Sequence, residues 1–118
     1  NKGYKLALVS TSKRQFIGKV LNYFKMDKLF DVVIAREDVK NLKPDPQAYL
    51  DALEKLGITS DQCLAIEDSN RGAKSAQKAK INCVLVKNNS LYSKYSDYDS
   101  NLIIFNDVAE IIMLLLYA

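Results

Sequence analysis

Three short polar clusters stand out in this 118-residue chain, each beside an apolar run: Ser10-Thr11-Ser12, Lys43 within Lys43-Pro44-Asp45-Pro46, and Glu67-Asp68-Ser69. Together they offer hydroxyl donors, one ammonium and a pair of carboxylates, a set that suits a phosphate group beside a divalent cation. The chain contains no histidine. This removes Ser-His-Asp and Cys-His mechanisms and every His-ligated zinc or iron site, so chemistry has to run on carboxylates, lysine and hydroxyls. Cys63 and Cys83 are the only cysteines and are too far apart for a two-cysteine metal clip. Two reduced, buried thiols are expected.

Each cluster also admits a purely structural role. Ser10 and its neighbours can cap a following helix, or present a hydroxyl and backbone N–H groups at a helix N-terminus where the dipole favours a phosphate oxygen. The two roles can coexist. Prolines on either side of Asp45 restrict the backbone and limit how far Lys43 can wander; the competing reading is a solvated loop lysine with Asp45 capping the next helix. Glu67-Asp68 is the sharpest local signal, because adjacent acids directly after a buried run are costly unless solvated, capped or bound to a cation. An N-cap at Asp68 or Ser69 explains one residue and leaves Glu67 unexplained. Arg71 is read as balancing this charge.

The elements that must position these clusters follow from the hydrophobic pattern. Tyr4 to Val9, Asp31 to Ala35, Cys63 to Ile66, Cys83 to Val86 and Leu102 to Phe105 are short, continuous apolar runs, the signature of parallel strands covered on both faces. Helices are predicted from Lys13 to Met26, with Phe16, Ile17, Val20, Leu21 and Phe24 as the packing stripe, and from Pro46 to Gly57, with Leu50, Leu53 and Leu56 inward. A third runs from Arg71 to Lys80; Ala73, Ala76 and Ala79 let it sit close to the sheet, and Gly72 marks a tight backbone approach near its start. A last helix is predicted from Val108, after a polar surface loop at Asn88 to Ser100. This order predicts an α/β fold with a doubly wound, Rossmann-like parallel sheet in three layers, which binds ligands at the carboxyl ends of its strands. All three clusters then face one rim.

With 48% hydrophobic and 26% charged residues the chain has ordinary globular composition. Its basic residues are scattered and its formal charge is only +3, so no nucleic-acid partner is expected. Ile111 to Leu116, the most apolar stretch, is too short to span a bilayer, and no signal-peptide pattern opens the chain. No membrane partner and a cytoplasmic location are expected.

Leu8-Val9-Ser10-Thr11-Ser12, Lys43-Pro44-Asp45-Pro46 and Ile66-Glu67-Asp68-Ser69 with Gly72-Ala73 resemble, in order and spacing, motifs two, three and four of the haloacid dehalogenase superfamily. The likeness covers nearly the whole chain and is greatest to the phosphatase and beta-phosphoglucomutase subgroup, for which residues 1–118 look like the C-terminal part of the core domain. The resemblance implies that Ser10 hydrogen-bonds a transferring phosphoryl group and that Lys43 neutralises it and holds the nucleophile. It implies that Glu67 and Asp68 serve Mg2+, and that Thr11, Ser12 and Arg14 lie near substrate. The chemistry implied is phosphoryl transfer from a small phosphorylated metabolite through an aspartyl-phosphate, with charge offset by fixed donors and a cation.

The chain departs from the family pattern in one respect. The family carries its nucleophile in an Asp-x-Asp motif on an earlier strand, and Asp97-Tyr98-Asp99 has that spacing but sits in the polar loop. By the resemblance, the strand absent here is central to the sheet, and the cap domain is absent too. A fragment of a longer enzyme is the expected explanation; another chain supplying the central strand, or loss of catalysis, are the others. The 118 residues alone are expected to be inactive. The expected function is a magnesium-dependent phosphatase in the complete protein. The alternatives are a beta-phosphoglucomutase-like sugar phosphomutase and a non-catalytic domain that binds a phospho-ligand or a protein.

Overall fold

Short runs of β-branched and aliphatic residues form five strands among the described residues, all in parallel pairs. The computed structural model describes residues 3–86 and the backbone of 103–105. Strand β1 (Ala7–Val9) pairs with β2 (Val32–Ile34), with Val9 opposite Ile34. Strand β4 (Asn82–Val86) lies between β3 (Leu64–Glu67) and β5 (Ile103–Phe105), with Glu67 opposite Leu85 and Val86 opposite Phe105. The sheet is thus two parallel ribbons, β2-β1 and β3-β4-β5. All five runs read as strands in the sequence are strands: β1, β2 and β5 are shorter than expected, β3 is shifted one residue towards Glu67, and β4 begins one residue earlier, at Asn82. The predicted loop at Asn88 to Ser100 and the helix from Val108 lie outside the described residues.

Among the described residues three α-helices connect β1 through β4: α1 (Arg14–Tyr23), α2 (Gln47–Leu56) and α3 (Asn70–Lys78). Gly57 ends α2 at φ 67°, a left-handed conformation that a residue without Cβ adopts freely, and returns its N–H to Glu54 O at 3.1 Å. Ser69 caps α3 by accepting from Gly72 N at 3.1 Å. Ala73 and Ala76 are fully buried and Ala79 nearly so, which is how α3 comes close to the sheet.

Because side chains alternate along a strand, β1 shows how the layers are arranged. Ala7 and Val9 pack with Ile34, Ala48 and Ala52, on the α2 side. Leu8 instead faces a groove lined by Phe16, Ile17, Val20 and Leu21 of α1. Helices α1 and α2 therefore cover opposite faces. Helix α3 shares the α2 face, where Tyr49, Leu53, Ala65, Ala73, Ala76 and Leu85 form the larger core.

Two predicted packing faces need correction. In α1 only Ile17 is buried, while Phe16 and Phe24 are more than half exposed, so the expected stripe does not pack as a unit. In α2 the inner face is Ala48, Tyr49, Ala52, Leu53 and Leu56, and Leu50 points outward. The buried set includes positions 49, 52, 53 and 56, an i, i+3, i+4, i+7 pattern that turns the helix so that Tyr49 faces in.

Candidate active site

The two ribbons face each other across a cavity of about 1160 Å3, lined by Tyr4 to Thr11 on the β1 side and by Cys63 to Ser69 on the β3 side. Among the described residues, β1 and β3 each have one edge without a strand partner. Ser10 and Asp68 follow the last residues of these strands, so both stand at the carboxyl-end rim.

Lys43 joins the two ribbons. Its ammonium donates to Val9 O at the end of β1 (3.0 Å) and to Glu67 Oε1 at the end of β3 (2.5 Å). The Lys43 side chain is 10% exposed and that of Glu67 7%, so this is a buried ion pair, which needs good geometry and further hydrogen bonds to offset its desolvation. The second donor to Glu67 Oε1 is the Tyr49 hydroxyl, and the Tyr49 ring centroid lies 5.2 Å from Lys43 Nζ. Burial, and after it the Glu67 charge, push the Tyr49 phenol far above its ordinary value, so the hydroxyl stays a donor. Burial, with the Glu67 charge second, also pushes the Cys83 thiol up to about 12.

The loop carrying Lys43 is held from α3. Arg71 donates to Lys43 O at 2.8 Å and Ser75 Oγ to Asp45 O at 2.6 Å. Arg71 therefore anchors a backbone carbonyl as well as adding charge. Asp45 caps α2 as read from the sequence, accepting from Gln47 N at 2.9 Å, although Pro46 sits one position earlier than expected, at the N-cap. The Lys43–Pro44 peptide is cis.

Of the residues singled out in the sequence, Ser10, Thr11, Lys43, Glu67 and Asp68 line the one cavity. Ser12 lines the smaller groove against α1. Arg14 is engaged elsewhere: its guanidinium donates to Asp38 and to Val33 O. Asp38 is held below the usual carboxylate range chiefly by the Ala35 N–H it accepts, then by Arg14. The first-turn N–H of α1, at Arg14, donates to the Glu37 carboxylate at 3.1 and 3.2 Å. An acid of this chain thus already stands at the helix end where a phosphate oxygen was envisaged. Ser10 Oγ accepts from Ser12 N at 3.1 Å and keeps its own proton for a further acceptor.

Sequence reasoning missed Tyr49, Ser75 and Glu37. Tyr49 was legible in the i, i+3, i+4, i+7 pattern of α2, and Ser75 in its four-residue spacing from Arg71, which puts both on one face of α3. Glu37 carried no local signal, since only the tertiary fold brings it to α1.

Parallel strands, crossover helices and a lysine and acids meeting at the carboxyl-end rim define a Rossmann-like α/β domain. The haloacid dehalogenase-like hydrolase profile matches residues 1–86, and the chain belongs to that family. The Bacillus subtilis protein YhcW, provisionally named a phosphatase, is 35% identical over 101 residues, covering 85% of this chain and 46% of that protein. The phosphorylated carbohydrates phosphatase of Thermotoga maritima is 36% identical over 81 residues, covering 69% of this chain and 38% of that protein. The crystal structure of a Thermotoga maritima protein provisionally assigned as a beta-phosphoglucomutase superimposes with a TM-score of 0.88 at 30% identity, over 99% of this chain and 54% of that one. The chain therefore spans about half, or less, of the length of these relatives. No helix among the described residues is long and apolar enough to cross a membrane.

Proposed function

We propose that these residues form part of the active site of a phosphomonoester hydrolase acting on a small phosphorylated metabolite. Residues outside the 118 would supply the nucleophilic aspartate on a strand seated between β1 and β3. What carries this reading is the Lys43 ammonium, fixed to Val9 O and Glu67 at the mouth of the cavity, with Ser10 and Asp68 on the same rim. The two flanking edges offer a strand the backbone partners it needs, and such a strand would end where the ammonium and hydroxyls converge.

In this reading Ser10 and Thr11 donate to the phosphoryl oxygens. Lys43 has two of its three protons engaged among the described residues and offers the remaining one to the phosphoryl group or to the incoming carboxylate. Fixed donors of this kind offset charge on the equatorial oxygens without reorganising. Ser12 and Arg14 lie off the cavity wall, and a substrate contact from Arg14 would have to compete with Asp38.

The donor set fits Mg2+, which takes oxygen ligands and is often held by one or two carboxylates plus phosphate and water. Asp68 is exposed at the rim and would be the carboxylate most readily offered, whereas Glu67 is buried and already shared by Lys43 and Tyr49. Among the described residues no group of three or more candidate ligands exists, so further ligands would come from the nucleophile segment, substrate and water. When bound, the ion supplies neutralisation of phosphoryl charge. The free thiols of Cys63 and Cys83 suit a reducing compartment such as the cytoplasm. A phosphomutase, as in the beta-phosphoglucomutase-like structural relative, would use the same rim and differ in where the phosphoryl group goes next.

The test is Mg2+-dependent phosphate release from p-nitrophenyl phosphate by the intact gene product. Activity lost in the Glu67→Gln/Asp68→Asn double variant is the expected result. An inactive intact protein that still binds inorganic phosphate would replace catalysis with a binding role, and turnover by the 118 residues alone would show that the nucleophile lies within them.

A further inference from the structure

Glu67 is the most confined charged group in the described structure, and the residues confining it are not those that the polar clusters announced. Its carboxylate is held from two helices at once. From α2, the buried Tyr49 hydroxyl donates to Oε1, the oxygen that also accepts from Lys43. From α3, Gly72 is buried directly against it: a Cβ there would overlap the carboxylate outright, at 2.7 Å from Oε1 and nearer still to Oε2. Gly72 is helical with ordinary negative φ, so its lack of a side chain serves space and not backbone freedom.

We propose that Tyr49 and Gly72 are positioning residues for the Lys43–Glu67 pair: the Tyr49 hydroxyl pins the carboxylate, the side-chain-free face of Gly72 makes room for it, and the ammonium is thereby aimed at the rim. Without the hydroxyl, Oε1 has one donor in place of two and the carboxylate is free to turn about its last torsion. Lys43 then follows, because Glu67 is one of its two hydrogen-bond partners. Tyr49 touches both members of the pair, through its hydroxyl and through its ring face, and Tyr49→Phe separates these contacts by keeping the ring. Gly72→Ala approaches the same carboxylate from the other side by steric displacement, while improving the intrinsic helix propensity of α3.

The catalytic consequence rests on the phosphatase reading, so the experiment has one arm that needs turnover and one that does not. In the intact protein, Tyr49→Phe is expected to lower kcat about tenfold with KM changed less than about twofold, because aim and not ground-state binding is lost. Gly72→Ala is expected to lower kcat about a hundredfold. In a Glu67→Gln background Tyr49→Phe is expected to add little, since the hydroxyl acts through that carboxylate. The second arm is NMR of 15N-lysine-labelled protein, in which the buried Lys43 ammonium gives a slowly exchanging signal that Tyr49→Phe broadens or removes. Val84→Ala, buried off the cavity wall on the face of β4 opposite Leu85, is the control: it is expected to lower Tm and leave both kcat and the signal as in wild type.

Tyr49→Phe protein with wild-type kcat and an unchanged Lys43 signal overturns the proposal, whatever its Tm. An additive loss in the Glu67→Gln background overturns the route through Glu67. If the wild-type protein releases no phosphate, the phosphatase reading fails by itself, and the Lys43 signal still decides whether Tyr49 holds the pair.

Discussion

The two ribbons that flank the cavity are built to different tolerances. On the β3 side, α3 lies on the sheet through alanines with no exposed surface, Glu67 is wedged between Tyr49 and Gly72, and Cys83 and Leu85 complete a continuous core. On the β1 side, α1 buries only Ile17, its Phe16, Tyr23 and Phe24 stand largely in the open, and the groove beneath it is shallow. The rim thus receives its carboxylates from the closely packed β3 side and its hydroxyls from the side whose outer helix, α1, is loosely packed. The difference shows that charge placement demands rigidity here: a buried carboxylate and ammonium separated by a small displacement lose much of their mutual attraction and stay desolvated. A hydroxyl donor rotates to its acceptor and tolerates a softer support.

Lys43 is the connection between the halves, and removing it should have the largest effect. Lys43→Met leaves Glu67 buried without its cation, an imbalance that costs about 3–5 kcal/mol. Urea titration of the intact protein is expected to show that loss, together with loss of phosphate release. A variant as stable as wild type would mean that Glu67 reaches water and that the tight half is less closed than described.

The packing contrast itself is tested by one substitution on each side. Ala76→Leu places extra methylenes where no exposed surface remains and should destabilise by about 1–3 kcal/mol. Phe16→Ser on α1 should change stability by less than about 0.5 kcal/mol in the same urea titration, as for an exposed position. Equal costs at the two sites would dissolve the comparison.

A pH series separates the halves more finely. Cys83 and Tyr49, both in the tight half, have their acidic forms favoured by burial, so their folded-state pKa values lie above those of the unfolded chain. The unfolded chain then releases these protons first, and stability is fully present below about pH 8.5 and declines as pH rises towards 12. Asp38, beside α1, is shifted down, so its contribution is present above its ordinary value near 3.8 and is lost as pH falls. Urea midpoints at pH 7 and 10 are expected to converge in Cys83→Ala, whereas Asp38→Asn is expected to lower the midpoint slightly at pH 7 and to approach wild type as pH falls below about 4, a smaller effect because the carboxylate is solvated.

Much of the architecture was legible in the order of residues. Continuous apolar runs such as Cys83 to Val86, buried throughout, identified parallel strands, because a strand covered on both faces needs no polar alternation; in β3 only one face is covered, and Leu64 and Ile66 stand about half exposed. Gly57 marked the end of α2, and Ala73, Ala76 and Ala79 marked a close-packed helix. The suspicion attached to Gly72 had the right residue, with the Glu67 carboxylate as what comes near it. The α1 stripe was legible as a pattern but not as packing, since a periodicity says which side chains share a face and not whether anything lies opposite. In α2 a face containing Leu50, Leu53 and Leu56 is compatible with the periodicity, but the structure buries Tyr49 in place of Leu50, because its phenol supplies the donor that the buried Glu67 carboxylate needs.

From its sequence alone this chain declared its class of fold, its strand ends and the polar clusters that stand there, since each depends on local pattern and on the general rule that parallel sheets gather their ligands at the carboxyl edge. Only the tertiary structure decided that Lys43 spans both ribbons, that Glu67 is shared with Tyr49, and that Glu37 and Asp38 occupy Arg14. Those pairings join residues 18 to 34 positions apart, at distances of a few ångströms that no local periodicity encodes. They arise when packing brings helix faces and strand ends together and leaves each buried charge to find a partner.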